Sequence, residues 1–303
     1  MSARELGLLF SICLVWGFHF VVMKLAVDTL PPMFYAAIRM AIVALILSPF
    51  LSWRKGEMGI VLFGGLCIGA VNYALMFSGL QYATASAAAI AVELNVPFAT
   101  ILAMLFLGDR PGWRRLLGIA LAFAGVAVIA LGGSGGDGAE ADPRLGLGIG
   151  LIAAGAFSEA VGAIVVKRAT AFRPHELLAW FAVVGAAALS LMSAIFEDGQ
   201  GAAWEAADRT LIIGAILYSA FASSLFGHTA YYWLLQRLPI SVVAPTVLFT
   251  TVVAVICGVV LLGDPFGLNM IAGGLMTLAG VGVVLLRNVK KQATLEAAAK
   301  PQG

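Results

Sequence analysis

The sequence predicts an all-α membrane protein with ten transmembrane helices, arranged as two inverted five-helix repeats around a central cavity. Three observations predict this fold class. Hydrophobic residues make up 61% of the 303 positions and charged residues 11%, whereas soluble domains carry about 25% charged residues. The charged positions separate apolar stretches of about twenty residues, the length that crosses a hydrocarbon core of about 30 Å. The second part of the chain also repeats the first.

Each apolar stretch is predicted to be a helix, because a segment in lipid must satisfy its own backbone hydrogen bonds and no alternating pattern suggests a barrel. The first stretch lacks a small-residue cleavage site and is too long for a signal peptide, so it is retained as a helix. The ten predicted helices span 6–27, 32–52, 58–81, 84–107, 114–132, 147–168, 174–195, 210–236, 239–262 and 267–287.

The distribution of basic residues predicts the orientation. With the N-terminus placed in the cytoplasm, fourteen Lys and Arg residues fall on the inner side and only Arg144 and Arg209 on the outer side. Basic loops resist translocation, so both termini are expected to be cytoplasmic. The three cysteines lie in apolar segments at spacings that fit neither a disulfide framework nor a metal site. We therefore expect no metal and no cofactor.

The internal repeat has a constant offset of 155 residues. Residues 72–131 align on 227–286 without a gap, with seventeen identities in sixty positions and the glycines in register. Because each half holds an odd number of helices, the second half enters the membrane from the opposite side. Inverted repeats are typical of secondary transporters, although duplication can also simply build a stable bundle. The predicted boundaries are a first repeat at 1–132, a linker at 133–146, a second repeat at 147–287 and a cytoplasmic tail at 288–303.

Several short motifs resemble a known family. They are WGFHFVVMK at 16–24, AAIRM at 36–40 and an LGD turn that closes the fourth and ninth helices. With the repeat and the topology, they resemble the EamA-type members of the drug/metabolite transporter superfamily over essentially the whole chain. The family more often has Glu after LG, where this chain has Asp109 and Asp264. The resemblance implies export of small metabolites, commonly amino acids, across a bacterial inner membrane, with the aromatic amino-acid exporters as the closest association.

Polar and aromatic groups deep in the helices are the candidate substrate ligands, because lipid penalises an unpaired polar group by several kcal/mol. Some share one helix face through i, i+3, i+4 or i+7 spacing, although each stripe is also consistent with a packed helix seam. The substrate-binding candidates are Trp16, His19, Met23, Asn72, Tyr73, Met76, Glu93, Glu159, Trp180, His228, Tyr231 and Tyr232.

A second set consists of candidates for coupling or gating. Pro97 cannot donate to the carbonyl of Glu93, so that carbonyl is expected to be free beside a hinge. Arg39 either holds the bundle together or receives substrate, and Lys24 lies close enough to its helix end to reach the interface. The coupling or gating candidates are Lys24, Arg39, Glu93, Pro97 and Glu159.

Two deep bases and two deep acids, with histidines and aromatics, suit a zwitterion better than a phosphate ester. The sequence therefore predicts a secondary transporter that exports small amino acids by alternating access. Its expected partners are a small-molecule substrate and the lipid bilayer, with no nucleic acid, and it is expected to be a monomer. The alternatives are export of another metabolite or drug (a sugar, nucleobase or cation), an intramembrane enzyme, or a channel. The enzyme would need a nucleophile and a base at one depth, and the channel a selectivity ring.

Overall fold

All secondary structure in the described part of the chain is helical. The computed structural model describes residues 3–107, 112–132, 143–166, 169, 171–235, 237–238 and 240–299. Within these ranges, the backbone alone is described at 3, 107, 143, 232, 235, 240–247 and 287–299. The all-α class predicted from composition is therefore confirmed over these residues.

Within the described residues, helical segments follow the predicted apolar stretches closely. In chain order they are α1 Ala3–Val27, α2 Pro32–Leu47, α3 Met58–Gly65 with Leu66–Val71 and Asn72–Tyr82, α4 Ala85–Val92 with Asn95–Leu107, α5 Trp113–Gly132, α6 Pro143–Val166, α7 Pro174–Phe196, α8 Arg209–Leu217 with Tyr218–Gly227 and His228–Leu235, α9 Ile240–Cys257 with Gly258–Leu262, and α10 Leu268–Ala299. Among the described residues, nine helices are long and apolar enough to cross a membrane, and Leu248–Leu262 within α9 is a shorter apolar helix. The short helix Gln200–Ala206 lies between α7 and α8, outside the predicted spans.

Helix α4 is interrupted at Glu93 and Leu94, one turn before Pro97. The interruption lies where a proline removes an amide donor and crowds the preceding turn. The predicted free carbonyl is wrong, however, because the amide of Val96 donates to the carbonyl oxygen of Glu93 at 3.2 Å. A tighter turn thus satisfies the group that Pro97 cannot reach.

Two π-helical segments widen α3 and α8 at corresponding places. They are Leu66–Val71 and Tyr218–Gly227, and the offset of 155 carries the first onto 221–226, inside the second. A π-helical turn bonds residue i to i+5 and is often found at functional sites. In α8 this segment supplies the serine hydroxyls and carbonyls that contact α1 and α2.

Helices α5 and α10 pack through facing glycines. A Cβ added at Gly118 would lie 2.8 Å from the carbonyl oxygen of Gly280, and one added at Gly125 would lie 2.5 Å from that of Gly273. No side chain fits at such distances, so these positions let the two backbones touch. Because the sequence numbers rise along α5 as they fall along α10, the two helices are antiparallel.

The first helix of each half packs against the third and fourth helices of the other half. Helix α1 contacts α8 and α9, and α6 contacts α3 and α4. On α6, a Cβ at Gly148 would lie 2.7 Å from the carbonyl oxygen of Gly79 on α3. On α1, a Cβ at Gly17 would lie 2.5 Å from the side chain of Val253 on α9. Helices before and after residue 140 are therefore interleaved. The two polar clusters described below each contain helices from both parts of the chain.

Candidate substrate-binding site

The densest polar cluster joins α1, α2 and the π-helical segment of α8. His19, 6% exposed, lies between two serines, with Nε2 at 2.9 Å from Ser219 Oγ and Nδ1 at 3.1 Å from Ser223 Oγ. The Tyr35 hydroxyl lies 2.6 Å from the same Ser219 Oγ and donates to the Ala215 carbonyl. Since hydroxyls both donate and accept, both ring nitrogens of His19 have a hydrogen-bond partner in this network. His19 therefore lies in a hydrogen-bonded interior rather than against lipid.

Arg39 lies next to this network and is one of the most buried side chains, at 2% exposure. Its Nη2 donates to Ser224 Oγ at 3.0 Å, and its guanidinium carbon lies 5.0 Å from the centre of the Tyr73 ring. His19 and His228 both lie close enough to interact with Arg39 electrostatically. A cation and two imidazoles therefore share one region between the halves.

Trp16 of α1 packs against two rings of α8 that the sequence predicted as substrate ligands. Its ring centre lies 5.4 Å from that of His228 and 5.4 Å from that of Tyr231, and its indole nitrogen donates to the Ser223 carbonyl at 3.0 Å. His228 Nδ1 lies 3.0 Å from the Ser224 carbonyl oxygen. Rings at these separations pack favourably and present flat apolar faces. The structure thus brings together three of the predicted substrate-binding candidates, Trp16 on α1 and His228 and Tyr231 on α8.

The two deep carboxylates form a second polar cluster, on α4, α6 and α9. Glu93, 5% exposed, accepts a hydrogen bond from the Thr251 hydroxyl of α9. Glu159 of α6 has the Asn95 amide of α4 within hydrogen-bonding range, and the two glutamates lie close enough to interact electrostatically. Burial of one carboxylate is costly and burial of two neighbouring ones more so. This cluster is therefore suited to bind a cation or to exchange a proton.

The other predicted ligands lie apart from these clusters. Met23 and Met76 are buried in the main apolar core, and Asn72 packs on Gly155 of α6. The Trp180 indole donates to the Ser52 carbonyl beside Trp53, near the end of the bundle where α2 ends. The side chain of Tyr232 lies outside the described residues.

Lys24 joins the ends of two helices. Its Nζ forms an ion pair with Asp28 at 2.7 Å and donates to the Leu80 carbonyl of α3 at 3.1 Å. A cation beside the last carbonyls of a helix is electrostatically favourable. Lys24 therefore fastens α1 to α3 at the helix end.

Asp264 of the second LGD turn caps α4. Its Oδ2 accepts from the backbone amide of Ser86 at 2.8 Å and from the Ser86 hydroxyl at 2.6 Å. A carboxylate at a helix start satisfies amides that lack partners within the helix. This contact links α9 to α4 and gives the motif a structural role. Asp109 of the first LGD turn lies outside the described residues.

Sequence reasoning missed Tyr35, Ser219, Ser223 and Thr251. The serines were detectable in principle, since Ser219 and Ser223 are four residues apart on one helix face of a predicted span. A single hydroxyl in an apolar segment carries little signal, because it can bond to a carbonyl of its own helix. Only the packing of α1 and α2 onto α8 identifies these hydroxyls as partners of His19 and Tyr35.

One described cavity, of 540 Å³, lies at the end of the bundle where α1 passes into α2. Its lining includes Leu30, Gln81, Tyr82, Leu147 and Glu197, and none of the predicted site residues. Glu197 also accepts from the backbone amides of Met33 and Phe34 at 2.7 and 2.9 Å, which caps the start of α2. The predicted central cavity stays a prediction.

Long apolar helices with buried ionisable clusters define a multi-pass integral membrane protein of the transporter class. The chain belongs to the EamA-like transporter family, whose model matches residues 4–131 and 146–286. It is 28% identical over 288 residues to a probable amino-acid metabolite efflux pump of Salmonella typhimurium, covering 93% of this chain and 94% of that protein. The corresponding protein of Escherichia coli is also 28% identical, over 289 residues, with 93% and 94% covered.

The fold has a solved counterpart. A crystal structure superposes with a TM-score of 0.61 at 18% sequence identity, covering 96% of this chain and 99% of that one. An uncharacterized transporter of Archaeoglobus fulgidus is 26% identical over 279 residues, covering 89% of this chain and 94% of that protein. The match of the family model over residues 4–131 and 146–286 confirms the EamA resemblance predicted from short motifs.

Proposed function

We propose that this transporter exports small amino acids or related metabolites across the bacterial inner membrane by alternating access. The observation that carries the proposal is the separation of ionisable groups inside the bundle: buried Arg39 and His19, with the partly buried His228, lie between α1, α2 and α8, whereas buried Glu93 and partly buried Glu159 lie on α4 and α6. Groups of opposite charge at two places match the carboxylate and ammonium of a zwitterion. The efflux pumps with 28% identity support the same substrate class.

The seam between α5 and α10 supports an inverted repeat. With the offset of 155, Gly118 corresponds to Gly273 and Gly125 to Gly280. Gly118 packs on Gly280 and Gly125 packs on Gly273, which is the reciprocal pattern of an interface with two-fold symmetry. Because the two corresponding helices are antiparallel, the halves 1–132 and 147–287 would cross the membrane in opposite directions. Rocking of such halves exposes a midplane site to each side in turn.

The remaining assignments follow from sequence and composition. The linker at 133–146 would lie in the periplasm and the tail at 288–303 in the cytoplasm, with both termini inside, because fourteen basic residues fall on that side. The protein would act as a monomer. Trp16, Tyr73 and Tyr231 would contact the substrate side chain, and the break at Glu93 before Pro97 would act as a hinge.

Counterflow in proteoliposomes tests the substrate class. Vesicles loaded with unlabelled phenylalanine should take up labelled phenylalanine faster than protein-free vesicles, and leucine should compete. Glucose and adenine should not compete. If no amino acid in a panel of twenty is exchanged, amino-acid export is refuted. Tetraphenylphosphonium serves as the probe for a second candidate, an organic-cation exporter, which the adjacent Glu93 and Glu159 favour.

A further inference from the structure

The Arg39 guanidinium has donors that no protein group uses. Among the described residues, its Nε and Nη1 atoms are buried without a hydrogen-bond partner, and Nη2 alone donates to the Ser224 hydroxyl. An arginine in a protein keeps its charge and presents five N–H donors. Most of the hydrogen-bonding capacity of this cation is therefore unused, and the residue is only 2% exposed.

No carboxylate in the described part of the chain neutralises this charge. The two ion pairs found there, Lys24 with Asp28 and Arg54 with Glu176, lie toward the ends of the bundle. Glu93 is occupied by the Thr251 hydroxyl, and Glu159 has Asn95 within reach. A buried charge that lacks a partner costs several kcal/mol. The unpaired charge of Arg39 therefore destabilises the fold, and groups in such unfavourable environments are common at ligand sites.

The surroundings of Arg39 suit an anion that arrives from outside the protein. The Tyr73 ring covers one face of the guanidinium, and this ring is itself partly accessible. His19 and His228 add imidazoles on α1 and α8. A single planar guanidinium matches one carboxylate, whereas a phosphate ester would favour a cluster of basic side chains.

We propose that Arg39 is the carboxylate subsite of the transporter: the N–H groups of its guanidinium that have no protein partner donate to the carboxylate of the transported amino acid, while one N–H of Nη2 remains on Ser224. This inference rests on the proposed function and names the part of the substrate that this region recognises. Because Arg39 belongs to α2 and Ser224 to α8, a carboxylate on Arg39 would be bound at a contact between the halves. Substrate binding would therefore act directly on the interface that alternating access must rearrange.

The test compares phenylalanine with phenylalaninamide and phenethylamine, which lack the carboxylate. In competition counterflow with the wild-type protein, phenylalanine should compete at least about tenfold better than either analogue, in line with the strength of a charged hydrogen bond. In Arg39→Gln this preference should fall to about twofold or less. Arg39→Lys, which keeps the charge but loses the planar donors, should give an intermediate preference.

Arg209→Gln is the matched control, because it removes the same charge at an exposed position at the start of α8, and it should keep the wild-type preference. Should Arg39→Gln fail to fold in thermal melts, Arg39→Lys carries the test. A wild-type preference retained in the folded Arg39 variants would overturn the carboxylate subsite and leave amino-acid export standing. Absence of any amino-acid exchange in the wild-type protein would instead refute the proposed function.

Discussion

The α1–α8 contact and the α6–α3 contact join corresponding helices of the two halves but are built from different residues. Between α6 and α3, the backbones of Gly148 and Gly79 touch. Between α1 and α8, the Trp16 indole donates to Ser223 and His19 lies between two serine hydroxyls. One contact consists mainly of close backbone packing, and the other is a polar and aromatic cluster.

The two contacts also distribute side-chain size differently. Asn72 of α3 and Gly227 of α8 correspond through the offset of 155. Asn72 packs on Gly155 of α6, whereas Gly227 packs on Trp16 of α1. The larger residue is on α3 in one contact and on α1 in the other. The same helix arrangement therefore accommodates the larger residue on either of the two helices. In the α1–α8 contact this places the Trp16 ring beside the serines of α8.

The largest expected effect tests the packing contact. Gly148→Val should lower the stability by about 3 kcal/mol or more, because its Cβ would lie 2.7 Å from the Gly79 carbonyl oxygen and 3.0 Å from the Ala83 amide. Gly150→Val is the matched control on the same helix, since nothing lies within 4 Å of its Cβ position. Thermal melting of the two purified variants in detergent measures the difference. Equal melting temperatures would contradict the close packing of α6 on α3.

The second prediction tests whether the carboxylate cluster of Glu93 on α4 and Glu159 on α6 contributes to transport as well as to packing. Glu93→Gln removes the charge beside Glu159 and weakens the bond from Thr251, so counterflow should fall by about tenfold or more. Thr84→Ser, which keeps the hydroxyl that caps α4, is the control on the same helix and should retain wild-type flux. Normal flux in a folded Glu93→Gln variant would mean that the Glu93 charge does not contribute to transport.

A smaller loss of flux is expected on the α1–α8 side. His228→Ala removes the ring that packs on Trp16 and contacts the Ser224 carbonyl, and we expect flux to fall by about fivefold. His228→Phe keeps the ring contact without the nitrogen atoms, which separates packing from hydrogen bonding. If both variants transport normally, His228 is not part of the site.

The smallest effect compares one hydroxyl from each contact. Ser219→Ala removes an oxygen that contacts both His19 and Tyr35 and should cost about 1–2 kcal/mol. Ser158→Ala removes a single bond to the Cys67 carbonyl and should cost about 1 kcal/mol or less. Melting temperatures that drop further for Ser158→Ala would reverse our ranking of the two contacts.

The helices were predictable because a segment that crosses lipid must be apolar, helical and about twenty residues long. The prediction of 174–195 is close to Pro174–Phe196, and the prediction of 114–132 is close to Trp113–Gly132. Apolar length and loop charge determine such spans without knowledge of tertiary contacts. The π-helical segments and the turn that satisfies the Glu93 carbonyl were not predictable, because they depend on how neighbouring helices pack.

The candidate site was predictable only in part. His19, Arg39, Glu93 and His228 stood out because an ionisable group in lipid is costly wherever it points. Met23 is equally deep but apolar, and no sequence pattern separates a cavity wall from the core in which it lies. The assignment of side chains to one cluster or the other required the interleaving of α1 with α8 and α9.

The contact between Ala122 and Thr277 bears on how such a chain could have arisen. The Thr277 hydroxyl lies 3.4 Å from the Ala122 carbonyl oxygen, and the two residues are 155 positions apart, so each meets its own counterpart. In an ancestral pair of separate five-helix chains inserted in opposite directions, one residue would have faced itself here. Only a small side chain can meet its own copy at the centre of a crossing that is lined by glycines. After a fusion of the two genes, this position would still have accepted only small residues, as Ala122 and Thr277 are.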